Sequence, residues 1–194
     1  ALPISELDQF YANLIPICQE LNTPAGAIDV LYATPEGKLI ILEAKLWRNP
    51  EARRKVIGQI LDYAKEISRW TYEDLQREVS RSLRTSTGAP KRLFDIMAEE
   101  YPDLAEAEFV DAVSRSLKHG EFLLLIVGDG IREGVAAIAE FIENHGTLHF
   151  SFGLVEMVIY RLGDKELLVQ PRILAQTMIV NRTVITLDAD GLIA

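Results

Sequence analysis

The chain of 194 residues, with 48% apolar and 25% charged residues, has the size and composition of a single globular domain covering residues 1–194. Its one cysteine excludes an intrachain disulfide and a cysteine-rich zinc site. No apolar run approaches the roughly 18 residues that cross a bilayer, so we expect no membrane partner. Nothing at the start resembles a signal peptide, and we expect a cytoplasmic location.

Apolar periodicity and turn residues predict the following elements in chain order. The first half contains a short helix at residues 5–11, strands at 14–20, 27–33 and 38–45, and helices at 49–67 and 72–83. A loop is predicted at 85–90, followed by helices at 91–101 and 104–117. The second half contains a buried strand at 121–127, a turn at 128–130, a helix at 132–144, a hairpin of strands at 149–162 and 166–174, and a last strand at 178–187.

This order of elements predicts an α/β fold in which a mixed β-sheet packs between helices. The strand at 121–127 is nearly uninterrupted in its apolar character, which is typical of a central strand buried on both faces. Residues 70–119 form a helical insertion within the domain. Cys18 follows an apolar run and is predicted to be a buried structural thiol.

A net charge of −9 is unfavourable for binding nucleic acid, but the basic residues are concentrated in one segment. Residues 45–92 contain 12 Lys or Arg and 6 Asp or Glu, net +6, and the remaining 8 basic and 23 acidic residues give −15. Phosphate binding depends on local basic surface, so this segment is a candidate nucleic-acid surface. The alternative is an ordinary solvated helix surface with paired charges.

Two carboxylates and a lysine occupy neighbouring ends of the strands predicted at 27–33 and 38–45. Asp29 lies on the first strand, and the turn at residues 34–37 brings the second strand back antiparallel to it. Strand side chains alternate between faces, so Glu43 and Lys45 project from one face and Ala44 from the other. The hairpin therefore brings Asp29 towards Glu43 with Lys45 beside them, which is a site for a hard divalent cation.

This arrangement of Asp29, Glu43 and Lys45 resembles the PD-(D/E)xK nuclease superfamily, whose restriction-endonuclease-like fold has an αβββαβ core. The resemblance implies that Asp29, Glu43 and the backbone carbonyl of Ala44 bind Mg²⁺ or Mn²⁺. It implies that Lys45 acts on the attacking water or on the developing phosphate charge. The likeness covers roughly residues 16–68 closely and the rest only in architecture.

Two further features belong to the same resemblance. Gln59 and Tyr63, four residues apart on one helix face, resemble the QxxxY element of the RecB-type branch and would lie over the site. Ordinary packing of both residues is the alternative. Some members place a helical glutamate before the first strand, and both Glu6 and Glu20 are candidates for it here.

The resemblance implies a metal-dependent deoxyribonuclease, a hydrolase of DNA phosphodiester bonds that acts as a monomer or a homodimer. Arg53 and Arg54 lie in the first turn of the Gln59 helix, where cations oppose the helix dipole, so they are candidates for binding flanking phosphates. A salt bridge to Glu51 or Glu20 is the alternative. The rival function is a catalytically inactive DNA-binding or scaffold module of the same fold. A hydrolase of sugars or nucleotides with two carboxylates would not need Lys45.

Overall fold

The computed structural model describes Tyr11 and residues 13–46, 50–129, 150–162 and 166–176. Within these ranges, the side chains of residues 46, 50–54 and 175–176 are outside the description. The described residues form one six-stranded mixed sheet and four helices.

The six strands lie side by side in the order of the sequence. The first three pair antiparallel, the third to the fifth pair parallel, and the last two pair antiparallel. The strands are β1 (Ile15–Thr23), β2 (Gly26–Ala33), β3 (Leu39–Leu46), β4 (Phe122–Asp129), β5 (Ser151–Arg161) and β6 (Leu167–Gln176).

The parallel pair β3–β4 requires a long crossover connection, and all four helices lie in that connection. They are α1 (Pro50–Ile67), α2 (Tyr72–Thr87), α3 (Leu93–Glu100) and α4 (Glu106–His119). The predicted apolar side of α1 is confirmed, since all of its members are buried: Val56, Ile60, Tyr63, Ala64 and Ile67.

Two apolar clusters cover the two faces of the sheet. The larger cluster joins residues of all four helices to β1–β4, and the smaller one lies on the other face. On β3, Leu39 and Ile41 belong to the larger cluster, whereas Ile40 and Leu42 belong to the smaller one. This alternation means that the next odd-numbered residues of β3 project towards the helices.

The helices of residues 70–119 are part of the main core. Their buried side chains belong to the larger cluster together with the strands, and include Leu75, Val79, Leu93, Met97, Phe109, Val113 and Leu117. The prediction that Cys18 is buried is also confirmed, and burial raises the pKa of its thiol to about 11. A thiol with such a pKa carries almost no thiolate at neutral pH, which agrees with a structural role.

The predicted strands at 14–20, 27–33, 38–45, 121–127, 149–162 and 166–174 are confirmed within a few residues, as are the helices at 49–67, 91–101 and 104–117. Of the helix predicted at 5–11 only Tyr11 is described, and the elements predicted at 132–144 and 178–187 lie outside the described residues. No helix in the described part of the chain is long and apolar enough to span a membrane.

Two predictions about local structure are wrong. The loop predicted at 85–90 begins too early, because α2 continues to Thr87 and ends at Gly88, whose φ is 81°. The hydroxyls of Thr85, Ser86 and Thr87 donate to carbonyls one turn earlier, which allows these residues to stay helical. The turn predicted at 128–130 is wrong for its first two residues, because Gly128 and Asp129 belong to β4 and Gly128 pairs with Lys45; Gly130 lies outside the described residues.

Candidate active site

The site begins where β2 and β3 separate. The antiparallel register pairs Val30 with Leu42, so Asp29 and Glu43 occupy the next opposing positions. There the carboxylate of Asp29 accepts a hydrogen bond from the backbone N–H of Ala44, with Oδ2 and N 2.7 Å apart. The side chain of Asp29 thus accepts a backbone hydrogen bond at the point where the pairing of β2 with β3 ends. This contact holds the carboxylate of Asp29 beside Glu43.

Glu43 is buried, and its charged partner is Lys45. Its side chain is 0% exposed, and the ammonium of Lys45 lies 2.6 Å from Oε1 in an ion pair. Apart from this ion pair, neither carboxylate oxygen has a hydrogen-bond donor among the described residues. Burial raises the pKa of Glu43, the Lys45 ammonium lowers it, and the negative charges of Asp29 and Glu20 raise it further.

Lys45 lies on the same face as Glu43 and is partly open to solvent, with 36% of its side chain exposed. Partial burial acts to lower its pKa, but the carboxylates of Glu43 and Asp29 outweigh this effect and the pKa is raised. Lys45 is therefore fully protonated at neutral pH. It can offer a positive charge both to Glu43 and to a group that enters from solvent.

Helix α1 closes the site from the side of the larger apolar cluster. The hydroxyl of Tyr63 donates to the backbone carbonyl of Ala27 over 2.8 Å, and the amide Nε2 of Gln59 donates to the same hydroxyl oxygen. A side chain at Gly26 would come within 3.2 Å of the Tyr63 hydroxyl. Gln59 and Tyr63 thus act together to attach α1 to the start of β2, next to Asp29.

Tyr63→Phe should therefore destabilise the protein by about 1–2 kcal/mol, because two hydrogen bonds are lost, the one that the hydroxyl donates to the carbonyl of Ala27 and the one that it accepts from Gln59. Urea denaturation of both proteins measures this difference. Tyr101→Phe is a control, since its hydroxyl makes an exposed and longer contact of 3.3 Å to Asn13. Equal stability of Tyr63→Phe and the wild type would contradict a structural role for the hydroxyl.

All five predicted catalytic side chains line one open cleft of about 770 Å³. The structure brings together Asp29, Glu43, Lys45, Gln59 and Tyr63, as strand alternation and helix periodicity predict. Three further residues of α1 line the same cleft but were not singled out from the sequence: Lys55, Gly58 and Asp62. Gly58 follows Lys55 by three residues and Asp62 follows Gly58 by four, so all three lie on the same helix face as Gln59. This spacing is the sequence signal that could have identified them.

The two candidates for an additional acidic residue have different outcomes. Glu6 lies outside the described residues. Glu20 lies on β1, not on a helix, and its φ of 52° is unusual for a residue other than glycine. Its negative charge acts on Glu43, so Glu20 belongs to the electrostatic surroundings of the site.

The described residues contain no group of three or more His, Cys, Asp or Glu that could hold a metal ion. The predicted ligand set has only two carboxylates and the carbonyl of Ala44. An ion bound by this set would therefore complete its coordination with water or with oxygens of a substrate, as Mg²⁺ commonly does.

Much of the predicted basic surface is neutralised by neighbouring acids. In α2, Arg77 pairs with Asp74 and Glu78, and Arg81 pairs with Glu78. Further pairs join Arg69 to Glu66, Lys91 to Glu99, and Arg92 to Asp95 and Glu106. These pairs favour the solvated-surface interpretation for α2 and its flanks. Arg53 and Arg54 are residues of α1 whose side chains lie outside the description.

Comparison with known proteins does not assign the chain to a family. No protein-family model, no curated protein and no solved structure matches it. The geometry of the cleft therefore carries the functional argument.

Proposed function

We propose that the protein is a Mg²⁺-dependent nuclease of the restriction-endonuclease-like type that hydrolyses DNA phosphodiester bonds. The observation that carries the proposal is the carboxylate of Glu43. It is completely buried, and it lines an open cleft with Asp29 and with Lys45, its one ion-pair partner among the described residues. Apart from that ion pair, its oxygens have no hydrogen-bond donor among the described residues, and a divalent ion would compensate the buried charge more strongly than one ammonium does.

The donor atoms suit Mg²⁺ or Mn²⁺. Carboxylate and carbonyl oxygens are the ligands that these hard cations prefer, and Asp29, Glu43 and the carbonyl of Ala44 would provide them. When bound, such an ion polarises a phosphate and lowers the pKa of a coordinated water. Asp29 is already oriented for this role by its hydrogen bond to the N–H of Ala44.

The remaining side chains have complementary roles in the proposal. Lys45 can leave Glu43 and place its ammonium in the cleft, where it orients water or neutralises charge that develops on the phosphate. The hydroxyl of Tyr63 holds the backbone of Ala27, so Tyr63 positions the site. Gln59 supports that hydroxyl with its amide nitrogen and has an amide oxygen that can accept a hydrogen bond from water.

The order of elements supports the fold part of the proposal. The structure has three antiparallel strands β1–β3, a helical connection and a parallel strand β4, the order expected for the βββαβ part of such a nuclease core. Asp29 lies on β2 and Glu43 on β3, which is the arrangement that the proposed motif would need. Fold alone does not determine function, so this agreement is secondary to the chemistry of the cleft.

The direct test is a cleavage assay on single-stranded, duplex and branched DNA with Mg²⁺, Mn²⁺ or EDTA. The proposal predicts cleavage that depends on the metal ion. One observation favours the rival, a DNA-binding or scaffold module without catalysis: the ammonium of Lys45, 2.6 Å from Glu43, balances its charge without an ion. DNA binding without cleavage of any substrate under these conditions would support that rival.

Arg53 and Arg54 are proposed to bind phosphates that flank the cleavage site. Replacing either one with alanine should weaken DNA binding about equally for all sequences, because one phosphate contact is lost. The salt slope, which is the slope of the logarithm of the binding constant against the logarithm of the salt concentration, should fall in magnitude by about one. Fluorescence anisotropy over a series of salt concentrations measures both effects. An unchanged affinity and slope in the double variant would assign the two residues to an ordinary solvated helix surface.

A further inference from the structure

Gly58 lies in the interior of α1, where glycine is unfavourable because it has no side chain to restrict the unfolded backbone. A Cβ atom added at Gly58 would meet no described atom within 4 Å, and its φ is not in the left-handed region. Neither close packing nor backbone strain therefore explains the glycine. By contrast, Gly26 has a φ of 129° and lies against the hydroxyl of Tyr63.

The position of Gly58 in the cleft suggests another reason for it. Gly58 and Gln59 line the cleft from the middle of α1, one turn after Lys55 and one turn before Asp62. Three other small residues line the cleft, Ala25 before β2 and Gly26 and Ala27 at its start. Gly26 and Ala27 lie against the hydroxyl of Tyr63, whereas the space beside Gly58 is open.

Lys55 supplies charge on the same wall. Its side chain is exposed, and it has no acidic partner among the residues whose side chains the structure describes, unlike Arg77 and Arg81 of α2. It lies one turn from Gly58 on the face that lines the cleft. The cleft thus has two lysines, Lys45 beside the carboxylates and Lys55 along the helix wall.

We infer that Lys55 and Gly58 form a subsite for the sugar-phosphate backbone of a nucleic-acid strand, next to the phosphate that Lys45 faces. Gly58 leaves room for a sugar to approach the helix, and Lys55 binds a neighbouring phosphate. This inference rests on the proposed nuclease function, and it identifies the ligand as a phosphodiester strand that extends along α1, not a mononucleotide held at the carboxylates alone.

Thermal stability separates a role in binding from a role in folding. Gly58→Ala should raise the melting temperature by about 2–4 °C, because alanine favours the helix and its methyl group enters open space. A lower melting temperature would show that the fold itself requires glycine here, and would overturn the inference.

Binding is tested with a fluorescent single-stranded oligonucleotide and with its duplex, in Ca²⁺ so that binding is measured without Mg²⁺-dependent turnover. Gly58→Leu should weaken binding of at least one of them tenfold or more, because the larger side chain fills the cleft. The control is Ala107→Leu, an exposed position of α4 outside the cleft, which should change the affinity less than twofold. Circular dichroism confirms that both variants are folded.

The charge is tested by Lys55→Ala, which should weaken binding several-fold and lower the salt slope by about one. Lys65→Ala, an exposed lysine of the same helix outside the cleft, should have neither effect. A wild type that binds and cleaves DNA, with Gly58→Leu and Lys55→Ala unchanged, would overturn the subsite and leave the nuclease function standing. A wild type that neither binds nor cleaves any nucleic acid would overturn both.

Discussion

Glu43→Gln and Lys45→Ala should each lower Mg²⁺-dependent DNA cleavage by at least a hundredfold while the chain remains folded. Glutamine keeps the shape of Glu43 but removes the charged oxygen ligand that a divalent ion requires. Alanine at position 45 removes the only ammonium within ion-pairing distance of Glu43 among the described residues. Loss of a positioned acid, base or charge commonly lowers turnover by about 10²–10⁴-fold.

The two variants should differ in what else they change. Glu43→Gln should lose metal affinity, because the ligand itself is altered. Lys45→Ala should keep affinity for the ion, since the carboxylates remain. Its metal-free form should be destabilised by about 1–3 kcal/mol, because a buried carboxylate loses its partner, an effect that the partial exposure of Lys45 moderates.

Suitable controls are Glu36→Gln and Lys65→Ala, which alter an exposed glutamate and an exposed lysine outside the cleft. Both should cleave at the wild-type rate. Initial rates on a labelled duplex and on its single strand, at fixed Mg²⁺, provide the measurement. Cleavage by Glu43→Gln at more than a tenth of the wild-type rate would show that Glu43 is not part of the catalytic centre.

The sequence was sufficient to predict the β2–β3 part of the site because strand geometry is regular. The alternation of Leu39 and Ile41 with Ile40 and Leu42 determines that Glu43 projects towards the helices. The spacing of Gln59 and Tyr63 likewise places both on the helix face that meets β2. In each case the regular repeat of the strand or helix determines the face on which a residue lies.

Features that depend on tertiary contacts could not be predicted in the same way. The hydrogen bond from the N–H of Ala44 to Asp29 follows from the separation of two strands, and no local pattern encodes it. The burial of Glu43 depends on how closely α1 packs on β3. The end of α2 was misplaced because Ser and Thr residues favour loops by propensity, whereas here their hydroxyls bond to the preceding turn.

The basic segment shows the limit of charge counting. Its net charge of +6 predicts a phosphate-binding surface, yet Arg77 and Arg81 of α2 pair with acids three residues away. The sequence shows that the spacing allows such pairs, but whether they form depends on the direction of the side chains along the helix. The cleft lysines Lys45 and Lys55 are therefore better candidates for phosphate contact than Arg77 and Arg81.

The contribution of Glu43 to the stability of the metal-free protein should fall as pH rises from about 4, and Mg²⁺ should reverse this loss. Burial is the main cause that raises the pKa of Glu43 in the folded state, so folded Glu43 holds its proton at pH values where the unfolded side chain has lost it. Stability is therefore lost between the unfolded pKa, near 4.3, and the raised folded pKa. Glu43→Gln lacks this group and should be less sensitive to pH across that window.

Mg²⁺ should favour the charged form of Glu43, because the ion binds the carboxylate and not the protonated acid. An ion that binds only the folded protein at 100 times its dissociation constant adds about 2.7 kcal/mol to the free energy of unfolding. For a domain of this size that corresponds to roughly 5–10 °C in melting temperature. Glu43→Gln should gain little from Mg²⁺ and should match or exceed the wild type in EDTA, because it no longer buries a charge beside Asp29.

Thermal melts of both proteins from pH 4 to 8, in EDTA and in Mg²⁺, measure these effects together. Glu36→Gln, which removes an exposed carboxylate, corrects for the general influence of charge. Parallel pH profiles for the wild type and Glu43→Gln would show that Glu43 does not titrate in the predicted direction. If Mg²⁺ also failed to stabilise the wild type, the carboxylates would have no demonstrated ligand, and the non-catalytic binding module would become the better explanation of the cleft.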